Sequence, residues 1–163
     1  MKTVDNPAAA KANMTLPTDR EIRVERIFNA SRERVWRALT EPELLAQWWG
    51  RGNKLVIERL EVVRGGHWRF VEHADGETHG FEGRFSEVTP PSRLVQTFEW
   101  DGMPGHVLLS TATLEALGPA RTRLVSVSLF HTAEDRDGML KSGMEGGMNE
   151  SYAALDRLLA KLG

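Results

Sequence analysis

Five histidines are the first residues to test for chemistry. A catalytic zinc commonly takes two imidazoles one helical turn apart, and neither H-x-x-x-H nor H-E-x-x-H occurs in the chain. His73 and His79 flank an apparent hairpin turn and could approach across strands, while His67 and His73 fall on the strand face opposite Trp68. Solvated strand histidines are the expectation, and no metal site is expected. His79 stands apart because alternation puts it on one face with Phe81 and Phe85. There it could anchor a polar group or move a proton. Gln96 shares a face with Leu94, Phe98 and Trp100, where its amide could hold a carbonyl or hydroxyl. Ser151 has no accompanying His–Asp set, so a nucleophilic serine is not expected. There is no cysteine, which excludes disulfides, thiol catalysis and thiolate metal sites. Neither G-x-G-x-x-G nor a phosphate-cradling G-x-x-x-x-G-K-[ST] run occurs, and no cofactor is expected.

The stretch Asp135 to Leu162 reads as one long helix. At about 100° per residue, Leu140, Met144, Gly147, Met148, Ser151, Leu155, Leu158 and Leu162 form its apolar stripe. Leucines fill both ends, but the middle is Met, Gly, Met, Ser. Small and flexible side chains facing inward fit a helix that closes over a space; close packing of Gly on a sheet is the competing explanation.

The elements that would position these residues follow from periodicity and punctuation. A strand is expected over 21–29, with Ile22, Val24 and Phe28 on one face and Arg26 as the polar exception. Ser31 is expected to cap a short helix over 32–39, and Thr40 a second that runs through Trp48 and Trp49 to a stop at Gly50. One of these two tryptophans is expected in the core beside a cavity entrance. Strands are then expected near 54–64, 67–73, 77–88, 93–100, 106–117 and 122–130, separated by Gly, Asp-Gly and Pro-rich turns. Short consecutive connections imply an antiparallel meander. Gly80 and Gly83 make a β-bulge credible in the third of these strands. A sheet of this length must curl, and a long amphipathic helix must cover its concave face.

The chain has 163 residues and a net charge of −2 with acids and bases well mixed, which fits one soluble domain and argues against a nucleic-acid surface. No apolar run approaches the roughly 20 residues of a membrane span, and no signal core precedes the fold, so a cytoplasmic address is expected. Residues 1–19 are expected to be a mobile leader, with the globular domain over 20–163.

Four motifs carry a family resemblance. They are R-x-F-x-A-S-x-x-x-V-W-x-A-L-T-x-P-x-L-L-x-x-W-W from Arg26 to Trp49, G-G-x-W-R-F from Gly65 to Phe70, G-x-F-x-E-V-x-P-P-x-R-L-V-x-T-F-x-W from Gly83 to Trp100, and the tail from Glu134 to Leu159. Together they resemble the START-like, or SRPBCC, superfamily with its Bet v 1-like helix-grip fold. Within it they resemble the branch named after the C-terminal domain of the ATPase activator of the 90-kilodalton heat-shock chaperone. The resemblance implies an α+β fold: strand, two short helices, six strands and a long C-terminal helix enclosing an apolar cavity. The chaperone activators carry a separate N-terminal domain, which residues 1–19 are too short to supply.

Binding of a small hydrophobic or aromatic molecule is therefore the leading expectation. Trp68, Phe70, Phe81 and Phe98 would form the apolar wall, with Trp48 beside them. Met144 and Met148 would act as an adaptable lid over the space left by Gly147, and His79, Gln96 and Ser151 would orient the ligand. A cyclase- or dehydratase-like enzyme using the same cavity and a co-chaperone-like interaction module stay open as alternatives. The edge strands of an open sheet leave room for a homodimer.

Overall fold

The strand alternation and the turn glycines together produce a single curled antiparallel sheet gripping a C-terminal helix. The computed structural model describes residues 12–162. Its described elements are β1 (Asn13–Thr15), β2 (Glu21–Phe28), α1 (Arg32–Thr40), α2 (Pro42–Trp48), β3 (Lys54–Leu60), β4 (His67–Ala74), β5 (Glu77–Thr89), β6 (Arg93–Trp100), β7 (Leu108–Ala116), β8 (Thr122–Leu129), α3 (Ala133–Lys141) and α4 (Met144–Leu162). The eight strands run in the order β1-β2-β8-β7-β6-β5-β4-β3, every neighbouring pair antiparallel. This is the helix-grip arrangement. No helix among the described residues is long and apolar enough to cross a membrane.

Several expected boundaries shift for identifiable reasons. Of the expected leader, residues 1–11 lie outside the described residues, but Asn13–Thr15 pair with β2 as an edge strand, Met14 opposite Val24. Ala12, just before that strand, is buried. Ser31 caps α1 as expected, accepting from the Arg34 N–H at 3.3 Å. Thr40 does not cap α2: it ends α1, its hydroxyl donating to the Trp36 carbonyl at 2.8 Å, and Glu41 takes the cap position without a side-chain capping bond. Helix α2 then ends at Trp48, with Trp49 as its C-cap.

The long C-terminal helix is two helices. Gly143 has φ of 84°, a left-handed conformation that glycine adopts without strain, and α3 stops before it. The Ser142 N–H bonds back to the Met139 carbonyl at 3.1 Å, as in a helix-ending turn. The N-cap of α3 is Thr132, which accepts from the Asp135 N–H at 3.0 Å.

The expected bulge in β5 lies at neither Gly80 nor Gly83. The β5–β6 register shifts between Phe85 and Glu87, so the parity of Phe81, Gly83 and Phe85 holds. Gly83 is required by close approach instead: a Cβ there would collide with the Thr97 carbonyl and sit 2.7 Å from Trp68 Nε1. The Trp68 indole uses that space to donate to the Thr97 carbonyl at 3.2 Å.

The core lies where α4, α1 and α2 meet the concave face, centred on Phe28, Val35, Trp68 and Leu155, all essentially inaccessible. Arg26, the polar exception on the β2 face, is buried there. Its guanidinium makes a two-pronged contact with Asp156 of α4 at 2.9 and 2.6 Å, with its carbon 4.6 Å from the centroid of the Phe28 ring and 5.7 Å from that of Tyr152. An ion pair thus fastens the covering helix to the sheet.

Candidate functional site

The volume between helix and sheet divides into two compartments. The inner cavity, about 260 Å³, lies under α4 against β2, β8, β7 and β6. It exists because inward positions on two adjacent strands are small: Ser110 and Ala112 on β7, Ser126 and Ser128 on β8. Leu108, Leu114 and Leu124 bracket them and fill the remaining space. Further along the same concave face the lining is aromatic, with Phe98 on β6, Phe85 on β5 and Trp68 and Phe70 on β4. Trp68 stands 4.8 Å from Phe70 and 5.9 Å from Phe98, centroid to centroid.

The outer compartment, about 360 Å³ and open to solvent, sits between the α2–β3 loop, the start of α4 and the ends of β4 to β6. Trp49 and Met144 line both compartments and so stand at their boundary. The Trp49 ring packs edge-on against Phe70 and Phe81 at 5.3 and 5.2 Å.

Each residue expected to contact a ligand lines one compartment or both. Trp48, Trp68, Phe70, Gln96, Phe98 and Met144 face the inner cavity. His79, Phe81, Gly147, Met148 and Ser151 face the outer one, with Met144 again. His79 is partly exposed, 3.5 Å from Glu77 and 6.2 Å from the Trp100 ring. Of the tryptophan pair, Trp48 is the buried one. Its indole donates to the Ala38 carbonyl at 2.8 Å and its ring stacks on Tyr152.

The outer compartment also contains a residue that pattern reading passed over. Glu72 is 3% exposed and follows Trp68 and Phe70 in inward parity, which was the available signal. Its carboxylate accepts from Asn53 Nδ2 at 2.8 Å and from Arg51 Nη2 and Nε at 3.3 and 3.4 Å. Arg51 holds a left-handed φ of 61°, and its N–H donates to Ser151 Oγ at 3.0 Å. Ser151 Oγ therefore helps hold the loop while lining the outer compartment. Gly147 makes room for this arrangement, because a Cβ there would come within 2.7 Å of Arg51 Cδ. Arg51 thus lies across the start of α4 with its charge on Glu72 and forms one lip of the opening.

Tyr152 is the second residue missed. It lines the inner cavity, packs edge-on against Phe28 at 5.4 Å, and its hydroxyl has no hydrogen-bond partner among the described residues. Burial pushes its phenol up to about 12, against the opposing pull of the Arg26 charge. Among the described residues, no group of three or more His, Asp or Glu side chains could hold a metal ion.

Comparison with known proteins agrees with this architecture. The family model described as activator of Hsp90 ATPase homolog 1-like protein matches residues 29–160. No curated protein matches the chain. Among solved structures, a Rhodobacter sphaeroides protein is 31% identical, with a TM-score of 0.85 over 94% of this chain and 100% of that one. An Arthrobacter aurescens protein solved by NMR is 25% identical, with a TM-score of 0.83 over 91% of each chain. A Chromobacterium violaceum protein is 28% identical, with a TM-score of 0.72 over 85% of this chain and 96% of that one.

Proposed function

The chain belongs to the activator of Hsp90 ATPase homolog 1-like family, and from that premise we propose that it binds a small apolar or aromatic molecule in the inner cavity between sheet and C-terminal helix. The observation that carries this reading is the void at Ser110, Ala112, Ser126 and Ser128. A sheet surface meant only to pack under a helix would be filled there by Val, Ile or Leu, because empty core volume costs roughly 24 cal/mol per Å³. Four small residues clustered on adjacent strands, with aromatics beside them, instead leave room for a guest. The size lies near the lower end for small-molecule sites, which favours a compact ligand of one or two rings.

A path to the cavity supports the same reading. The outer compartment meets the inner one at Trp49 and Met144, a rigid aromatic and a flexible thioether. Met144 directly follows Gly143, where the two C-terminal helices separate. A rotamer change at Met144 would open the passage without unfolding either helix. Arg51 and Glu72, at the lip, would gate and desolvate the opening.

Native mass spectrometry of the protein purified from its own host tests the proposal. A stoichiometric small apolar species released from the folded chain is the expected result. A chain that emerges empty, and that also fails to take up any member of a library of small aromatic compounds, would overturn it.

A further inference from the structure

Resting on that reading of the cavity, we propose that the ligand is an uncharged molecule with a flat apolar body and hydroxyl or carbonyl groups along one edge, which meets Gln96, Ser110, Ser126 and Ser128. The register puts these side chains together. Gln96 pairs with Ser110 across β6 and β7, and Ser110 pairs with Ser128 across β7 and β8. Ser126 lies two residues from Ser128 on the same face. The three-strand row spans two strand spacings, roughly 10 Å.

None of the four side chains hydrogen-bonds to a described residue. Each hydroxyl can donate once and accept twice, and the amide can do both. The four side chains are half-buried and line the cavity, so their free donors and acceptors are available to a molecule that enters it. Beyond the row the same concave face turns to ring surface, Phe98 two residues from Gln96 on β6, Phe85 paired with Gln96 on β5 and Trp68 on β4 with its indole N–H spent on the Thr97 carbonyl, while α4 adds the Tyr152 phenol. A ligand lying on this face meets ring surface toward β5 and β4 and hydroxyls toward β7 and β8.

Charge narrows the class further. No Asp, Glu, Lys, Arg or His among the described residues lines the inner cavity. A carboxylate or ammonium there would lose its hydration with no counter-ion, at a cost far above what hydroxyl contacts return. A charged head is therefore disfavoured within the inner compartment, and neutral hydroxylated or keto-bearing ring compounds fit it.

Three probes of one size test this on the full chain: naphthalene, a naphthalenediol and naphthoate, titrated by tryptophan fluorescence. An apolar void would favour naphthalene, the most hydrophobic of the three. The proposal expects the diol to bind about tenfold or more tighter than naphthalene, and naphthoate to bind weakest. In the Ser110→Ala, Ser128→Ala double variant, checked for folding by circular dichroism, the diol should lose its advantage while naphthalene binding is kept. Naphthalene binding as tightly as the diol, or a preference unchanged in the double variant, would overturn the polar-edge assignment and leave the cavity reading standing. Failure of all three to bind would also overturn the polar-edge assignment, and the cavity reading would then be decided by the mass spectrometry and library uptake.

Discussion

Removing the carboxylate of Asp156 should cost this protein much more than removing the guanidinium it holds. The reason is the difference in burial. The Arg26 side chain is 5% exposed, whereas that of Asp156 is 27% exposed. Asp156→Ala would leave a cation enclosed between Phe28, Tyr152 and the underside of α4, with its two short bonds gone. Breaking a buried pair in this way costs about 3 kcal/mol or more. For a chain of this length that corresponds to a fall of roughly 6–12 °C in Tm. Arg26→Met removes the buried charge and keeps most of the aliphatic packing. It leaves Asp156 with water in reach and forfeits cation–π contacts, for a net cost of about 1 kcal/mol. The double variant should lie close to Arg26→Met alone, because no buried cation remains to be stranded. Urea unfolding followed by circular dichroism at neutral pH measures all three. Equal costs for the two single variants, or a larger cost for Arg26→Met, would refute the argument that this pair is held by the burial of its cation.

Three further outcomes follow from the same geometry. Ser128→Leu should fill part of the inner cavity, keep or raise the unfolding midpoint, and weaken naphthalenediol binding at least tenfold; full affinity in the folded variant would move the ligand elsewhere. Gly147→Leu should push Arg51 off Glu72 and narrow the outer opening, so stopped-flow association should slow while the fold persists, helped by the better helix propensity of Leu; an unchanged on-rate would show that ligands enter by another route. Tyr152 is the only tyrosine, so phenolate absorbance reports it alone. With its pKa raised from 10 to about 12, the folded state holds the proton that the unfolded chain releases. The stabilisation from its burial is therefore present in full below pH 10 and lost as the pH rises toward 12; ionisation near pH 10 in the folded protein would contradict the burial.

Strand alternation carried most of the architecture, because a sheet with one solvated and one covered face writes its register into the sequence. Trp68, Phe70, Phe81, Gln96 and Phe98 could be assigned to the cavity side by parity alone. The break at Gly143 was hidden for a physical reason: Leu140 and Met144 keep helical spacing across it, and a single left-handed residue leaves no mark on periodicity. The strand Asn13–Thr15 is too short to show alternation, and its existence depends on its pairing with β2. Glu72 had the right parity, but its burial depends on Arg51 and Asn53 arriving from a loop some twenty residues away. The serine row needed the pairing of three strands: each serine alone reads as an ordinary strand residue, and only the register makes them a surface.

The most direct test of a ligand cavity is a residue-resolved NMR titration of the isotopically labelled chain with whichever member of the naphthalene series binds most tightly. A ligand in the inner cavity should give saturable shifts at Gln96, Ser110, Ser128 and Tyr152 around it, and at Met144 on its boundary. Shifts confined to the outer-face charge network of Glu58, Arg69 and Glu82, with the cavity residues unmoved, would contradict it.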